Sequence, residues 1–152
     1  SDACIGLGED HRESRMNRLQ QHELIYVGTP YTRYPKGIEM AFIDASKLTG
    51  RLLEEGLRVY SPIAHTHPIA IHGKIDPLDH KIWLPFDAAI MAKADAMIVA
   101  QLETWDKSTG VAHEIAVFKS AGKPIYYLDP VTLRVDVSAI LKEPSIDVMN
   151  SG

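Results

Sequence analysis

Residues 96–128 read AMIVAQLETWDKSTGVAHEIAVFKSAGKPIYYL and hold two apolar runs on either side of a helix-like segment. The first run, Ala96–Ala100, is apolar throughout, which is typical of a parallel strand covered on both faces. Residues 110–121 read as a helix, and Gly122 follows as a stop signal. The second run covers 124–128. Strand, helix and strand in this order predict a βαβ unit with parallel strands.

The same alternation extends towards both ends of the chain. The other predicted elements are strands at 24–27 and 57–63, helices at 37–55 and 82–94, a short strand at 133–137 and a helical turn at 139–142. We therefore predict an α/β fold: a doubly wound, flavodoxin- or Rossmann-like parallel sheet of four to five strands in three α/β/α layers. Residues 1–22 are polar, so we expect an N-terminal arm there and a single domain over 23–152.

Composition excludes several classes of protein. The chain has 16 Lys+Arg and 20 Asp+Glu, a net charge of −4, and no basic block, which argues against a nucleic acid polymer as partner. No apolar run reaches the roughly 18 residues of a membrane span, and no signal peptide is recognisable. The single cysteine, Cys4, precludes an intramolecular disulfide and suits a reducing compartment. These features predict a cytoplasmic protein without a membrane partner.

Ligands of an open parallel sheet bind at the carboxyl ends of its strands, near the point where strand order reverses. The loops at this edge are predicted to be 28–37, 65–80 and 101–110. The glycine-rich phosphate loops Gly-x-Gly-x-x-Gly and Gly-x-x-x-x-Gly-Lys-Ser/Thr are absent. Dinucleotide binding and P-loop hydrolysis therefore lose most of their support.

The third of these loops leads into a helix that carries a carboxylate. Ser108 is a suitable N-cap, and Glu114 follows about one turn inside the helix, where it would face the crevice. The free amides of the first helical turn form an anion site, which fits a phosphorylated sugar. Alternatively, Ser108 only caps the helix and Glu114 is a surface charge.

Four motifs follow one another within residues 24–128. They are Ile25-Tyr26-Val27-Gly28, Asp87 eight residues before Asp95, Ser108-x-Gly110-x-x-x-Glu114-Ile115, and Gly122-Lys123-Pro124-Ile125. In this order they resemble the nucleoside 2-deoxyribosyltransferase superfamily, which includes 2'-deoxynucleoside 5'-phosphate N-hydrolases and cytidylate hydrolases. Within the superfamily the chain resembles an uncharacterised branch with SPIAHTHPI and Trp-x-x-Ser-x-Gly, found here at 61–69 and 105–110.

The resemblance implies cleavage of the N-glycosidic bond of a nucleoside 5'-monophosphate, with no metal and no other cofactor. By the same resemblance, Glu114 is the nucleophile that attacks C1', and Asp87 protonates or orients the base. Tyr26 would position the nucleophile, although a core aromatic is an equal alternative. Members that act on free nucleosides tend to carry an acid where this chain has Ser108, so the resemblance favours a nucleotide substrate.

The remaining candidates are substrate-binding residues in the three loops. They are Gly28, Thr29, Pro30, His65, His67, Trp105, Ser108 and Gly110. His65 and His67 alternate as strand residues do, so both could face one site. We expect an irregular loop in which these two histidines contact ligand or hold the carboxylates. Trp105 either stacks on a base or anchors its loop to the core.

Other functions remain open. Base transfer by a deoxyribosyltransferase and a non-catalytic nucleotide-binding or sensing module are two of them. The third is a metal-dependent hydrolase built on the 65–80 segment, whose ligand types are His65, His67, His72, Asp76, Asp79 and His80. Asp95 lies at a helix-to-strand junction, where a turn or capping role is expected. We also expect a homo-oligomer, because a neighbouring subunit could cover a shallow crevice.

Overall fold

The computed structural model describes residues 15–136, and this part of the chain contains one five-stranded sheet. Its strands are β1 (Ile25–Gly28), β2 (Val59–Tyr60), β3 (Ala96–Ala100), β4 (Ile125–Leu128) and β5 (Val135–Asp136). They lie in the order β2-β1-β3-β4-β5. The first four are parallel, and β5 runs antiparallel to β4. This order is that of a doubly wound sheet, which confirms the predicted α/β class.

Helices cover both faces of the sheet. They are α1 (Ile38–Glu54), α2 (Pro62–Gly73), α3 (His80–Lys93) and α4 (Thr109–Ser120), with a 3₁₀ turn at Trp105–Lys107 and a helical stretch at 15–20. On one face, α1 packs Leu48 and Leu52 against Ile25 of β1. On the other face, α3 and α4 pack Met91 and Phe118 around Tyr26. Successive residues of a strand point to opposite faces, so β1 supplies both cores.

Residues 57–80, which include β2 and α2, differ from the prediction. The pattern predicts a strand over 57–63 and an irregular loop over 65–80, but the strand covers only Val59–Tyr60 and helix α2 follows. Ser61 caps this helix, its Oγ accepting a hydrogen bond from the Ala64 amide at 3.2 Å, and Pro62 occupies the first helical position. Pro68 lies inside the helix and does not end it. The predicted strand is therefore present but shorter than predicted, and the loop prediction is wrong for the part of 65–80 that α2 occupies.

Residues 15–20, within the predicted arm, are helical. Their apolar side chains Met16 and Leu19 are 6% and 0% exposed and belong to the core beside β1. Residues 1–14 of the predicted arm, with Cys4, and the predicted helical turn at 139–142 lie outside the described residues. Within 15–136, no helix combines the length and apolar character that a bilayer crossing requires.

Candidate active site

A cavity of about 310 Å³ lies at the carboxyl ends of the parallel strands, in the volume range of small-molecule sites. Its walls come from the loop after β1, the start of α2, one face of α3 and the start of α4. Five predicted site residues line it: Thr29, Asp87, Ser108, Gly110 and Glu114. The cavity thus brings together residues from three separate segments of the sequence at the predicted edge of the sheet.

Tyr26 orients Glu114 through a hydrogen bond. The Tyr26 hydroxyl donates a hydrogen bond to Oε2 of Glu114 at 2.5 Å. The tyrosine ring is fully buried on β1, with the rings of Phe118 and Tyr60 at 5.7 and 6.2 Å between centroids. The two alternatives for Tyr26 therefore coexist, because its ring is core and its hydroxyl orients a carboxylate in the cavity.

Gly28 makes room for that carboxylate. A Cβ at this position would lie 3.2 Å from Oε1 of Glu114 and 2.6 Å from Cε of Met97. Any side chain would push the carboxylate or the methionine away. Gly28 is outside the cavity lining, so the structure gives it a spacing role next to Glu114.

Asp87 reaches the cavity from α3 with an oxygen that lacks a partner. Among residues 15–136, the buried side-chain oxygens without a hydrogen bond are Asp87 Oδ1, Thr29 Oγ1 and the Tyr60 hydroxyl. A buried polar group without a partner costs about 1–3 kcal/mol. Asp87 and Thr29 both line the cavity, so a bound molecule with polar groups could satisfy them.

Burial shifts the pKa of both carboxyls upwards. It raises the pKa of Asp87 to about 6. For Glu114, burial raises the pKa to about 8; the Tyr26 hydrogen bond acts in the opposite direction, and the charge of Asp87 adds to the rise. Burial and the two carboxylates also raise the pKa of Tyr26, so its hydroxyl remains a donor. Near neutral pH the two carboxyls together carry about one proton.

Ser108 caps α4, as the sequence predicts. Its Oγ accepts a hydrogen bond from the Val111 amide at 3.2 Å, and the residue is 8% exposed at the cavity wall. The amides of Thr109 and Gly110, at the first two helical positions, have no intrahelical acceptor because of where they lie in the helix. Within residues 15–136 the lining holds no lysine or arginine, and its basic side chains are His80 and His113.

Besides Gly28, four predicted ligand contacts lie outside the cavity lining. Pro30 is buried behind it. His65 stacks on Phe86 at 5.6 Å between centroids. Trp105 packs edge-on against Tyr127 at 5.8 Å, which is the loop-anchoring alternative.

His67 is the fourth, and it is 3% exposed, with its ring nitrogens bonded to Tyr31 and Glu39. His65 and His67 do not share a site, because residues two apart on a helix face different directions. The prediction that they alternate as in a strand is wrong.

Several lining residues were not predicted. On α3 they form one stripe with the predicted Asp87, at the spacing of a helix face: His80, Trp83, Leu84 and Met91. Trp83 is fixed in the wall by a hydrogen bond from its indole Nε1 to the Asp76 carbonyl at 2.9 Å. Trp83 precedes Asp87 by four residues, so helical periodicity alone could have placed both on one face. Tyr31 and His113 also line the cavity.

The two aspartates of the 65–80 segment accept backbone hydrogen bonds. Asp79 caps α3 by accepting a hydrogen bond from the Lys81 amide at 3.2 Å, and Asp76 accepts one from the Leu78 amide at 2.9 Å. Across residues 15–136, no three His, Cys, Asp or Glu side chains are grouped so as to hold a metal ion.

Asp95 lies at the opposite edge of the sheet from the cavity. Its carboxylate accepts a hydrogen bond from the Leu24 amide at 2.9 Å and pairs with His22 at 2.7 Å. These contacts tie the start of β1 to the start of β3, in agreement with the expected turn role.

Residues 23–129 match the model of a protein family described as "Domain of unknown function (DUF1937)". The match covers more than two thirds of the chain, so the protein belongs to this family. A search of curated proteins finds no match to the chain.

Proposed function

We propose that this member of the DUF1937 family cleaves the N-glycosidic bond of a nucleoside 5'-monophosphate, through a covalent intermediate on Glu114. One observation carries the proposal: two carboxyls from different helices, Glu114 and Asp87, line one cavity, where the first is oriented by Tyr26 and the second has an unpaired oxygen. The motif resemblance to the nucleoside 2-deoxyribosyltransferase superfamily supports the same function, and we propose membership in it.

The chemistry needs both carboxyls. A Glu114 oxygen attacks C1' of the sugar while the bond from C1' to the base nitrogen breaks and its electron pair passes to the base. Asp87 gives its proton to the leaving base. Water then attacks C1' of the glycosyl ester, Asp87 takes the water proton, and sugar phosphate leaves with Glu114 restored as a carboxylate. Tyr26 stabilises the Glu114 carboxylate by its hydrogen bond at the start and end of this cycle.

The number of protons that the two carboxyls carry supports these two roles. The reaction starts with one ionised and one protonated carboxyl, and the pair carries about one proton between pH 6 and 8. The two apparent pKa values belong to the pair, and its reactive form carries the proton on Asp87 and the negative charge on Glu114.

The rest of the cavity suits the other parts of a nucleotide. The 5'-phosphate would accept hydrogen bonds from Ser108 and the free amides of Thr109 and Gly110, where the helix dipole favours an anion. Trp83 lies one turn from Asp87 on the same helix face, so its ring offers a surface for the base next to the acid. His113 of α4 is one of the two basic side chains of the cavity lining.

We also propose that the protein is a cytoplasmic homo-oligomer. Ile82 and Phe86, four residues apart on α3, share a helix face and are 45% and 38% exposed, whereas Leu84 lies on the face that lines the cavity. An apolar helix face beside the cavity fits the expectation that a second subunit covers the site. The partner that the cavity takes is a small nucleotide or nucleoside.

The test is release of free base from a panel of nucleosides and nucleoside 5'-monophosphates, separated by chromatography. We expect release from at least one monophosphate, none with Glu114→Gln, and wild-type release with Glu103→Gln, which changes an exposed carboxylate outside the cavity lining. Transfer of sugar to an added second base would favour the deoxyribosyltransferase alternative. Binding without release would favour a sensing module, and release by Glu114→Gln would overturn the proposal.

A further inference from the structure

A chain of three side chains leads from the cavity wall to the surface. Tyr31, on the loop after β1, lines the cavity. Its hydroxyl lies 2.6 Å from Nδ1 of His67 on α2. Nε2 of the same imidazole lies 2.8 Å from Oε2 of Glu39, in the first turn of α1. The three residues thus connect the loop after β1, α2 and α1 next to the cavity wall.

The chemistry of the partners fixes the direction of the bond to Glu39, and for a neutral imidazole the direction of the bond to Tyr31 follows from it. The Glu39 carboxylate can only accept, so the hydrogen between it and His67 belongs to Nε2. In a neutral imidazole the other nitrogen, Nδ1, is then an acceptor, and the Tyr31 hydroxyl donates to it. Burial and the Glu39 carboxylate raise the pKa of Tyr31, which keeps the hydroxyl protonated.

We propose that Tyr31 is a specificity-determining residue whose oxygen accepts a hydrogen bond from an N–H or O–H group of the ligand, with His67 and Glu39 as positioning residues. Because its only hydrogen is committed to His67, Tyr31 offers the cavity lone pairs and no donor. A ligand with a donor at this point is favoured over one with an acceptor there, since two acceptors facing each other leave both unpaired.

The surroundings hold this arrangement rigidly. His67 is 3% exposed, and the Phe42 ring stacks on it at 4.8 Å between centroids. Tyr31 meets the imidazole edge-on at 5.7 Å. Tyr34, on the same loop, makes a comparable bond from its hydroxyl to Asp44 at 2.7 Å but is outside the cavity lining. Tyr34→Phe is therefore a matched control for loss of a tyrosine hydrogen bond in this loop.

The tautomer of His67 can be measured without any ligand. In ¹⁵N NMR spectra of labelled protein, with the signal assigned through His67→Gln, we expect a neutral ring protonated at Nε2 and bare at Nδ1. Glu39→Gln keeps an acceptor oxygen and should preserve this tautomer, whereas Glu39→Ala should lose the preference for it. A ring protonated at Nδ1 would overturn the inference, because Tyr31 would then be the acceptor from His67 and the donor to the ligand.

The choice of ligands rests on the proposed function. Binding would be measured by calorimetry with Glu114→Gln protein and pairs of nucleoside monophosphates that differ by one donor group: guanosine and inosine monophosphate, and a ribonucleotide and its 2'-deoxyribonucleotide. We expect a preference of about tenfold for the donor member of one pair, which Tyr31→Phe and Glu39→Ala reduce and which Glu39→Gln and Tyr34→Phe leave intact. A Tyr31→Phe effect that is equal on all ligands, or absent, would overturn the inference. If no nucleotide binds, the proposed function fails, and the tautomer alone decides the inference.

Discussion

Tyr26 and Glu114 lie 88 positions apart in the sequence and are joined by a hydrogen bond of 2.5 Å from the tyrosine hydroxyl to the carboxylate. The tyrosine belongs to a central strand and the glutamate to the first turns of α4. A bond between these two rigid elements fixes the direction of one carboxylate oxygen, and thereby leaves the other to face the space beside Gly28. The orientation of the candidate nucleophile is thus a property of the sheet and not of a loop.

Tyr26→Phe tests this bond with little change in packing, because the ring is retained. Loss of the hydrogen bond removes the influence that lowers the pKa of Glu114, so this pKa should rise. We expect kcat/KM for base release to fall about ten- to a hundredfold, the loss typical of a weakened nucleophile or base. Thermal unfolding of the variant should stay close to wild type. An unchanged kcat/KM would show that the hydrogen bond has no catalytic role.

The pH dependence of kcat/KM follows from the shared proton. Activity should rise as pH passes about 6 and fall as it passes about 8, since only the singly protonated pair reacts and the two apparent pKa values belong to the pair. In Asp87→Asn the alkaline limb should disappear, and the remaining limb should report Glu114 at a pKa below 8, because the charge that raised it is gone. Activity that is independent of pH across this range would argue against catalytic roles for both carboxyls.

Glu114→Gln should change stability with pH in a definite direction. The folded-state pKa of Glu114, about 8, lies above its ordinary value of 4.5, so the native protein binds more protons than the unfolded chain between these values. The contribution of Glu114 to the free energy of unfolding is fully present below pH 4.5 and is lost as pH rises towards 8. The variant lacks this loss, so its Tm minus that of wild type should increase from pH 5 to pH 8. Glu103→Gln, in an exposed position, should show no such trend.

Ser108→Asp tests the phosphate position without removing the helix cap, because aspartate is as good an N-cap as serine. Each good contact of the 5'-phosphate with Ser108 or a helical amide is worth about 1.5–3 kcal/mol. The added carboxylate repels the phosphate, so the affinity for a monophosphate should fall much more than that for its nucleoside, as measured by calorimetry. Equal loss for both ligands would contradict the phosphate site and favour the deoxyribosyltransferase alternative.

The parts of the fold that sequence predicts best are those with a single dominant signal. Ala96–Ala100 is apolar without interruption and is a central strand, and Ser108 followed by a helical pattern starts α4 at the next residue. The same signals place Glu114 near the carboxyl edge of the sheet. In these segments local propensity and burial agree, so one pattern suffices.

Segment 61–73 shows where prediction fails. Pro68 and the spacing of His65 and His67 indicated an irregular, strand-like course, whereas the Ser61 cap and Pro62 at the first helical position start a helix that continues through Pro68. The start signal was present in the sequence but was outweighed by an internal proline. The pairing of His67 with Tyr31 and Glu39 depends on how three elements meet, and no local pattern encodes it.

The covalent step on Glu114 is the central claim, and mass spectrometry of the quenched enzyme tests it most directly. The protein would be mixed with a 2'-fluoro-arabino analogue of the monophosphate that it cleaves, because the fluorine destabilises the oxocarbenium-like transition states and slows breakdown of the ester. After an acid quench, we expect intact protein heavier by one sugar phosphate, located on the peptide that contains Glu114 and missing in Glu114→Gln. Stoichiometric release of base without any such adduct, or an adduct on another residue, would contradict a glycosyl-Glu114 intermediate.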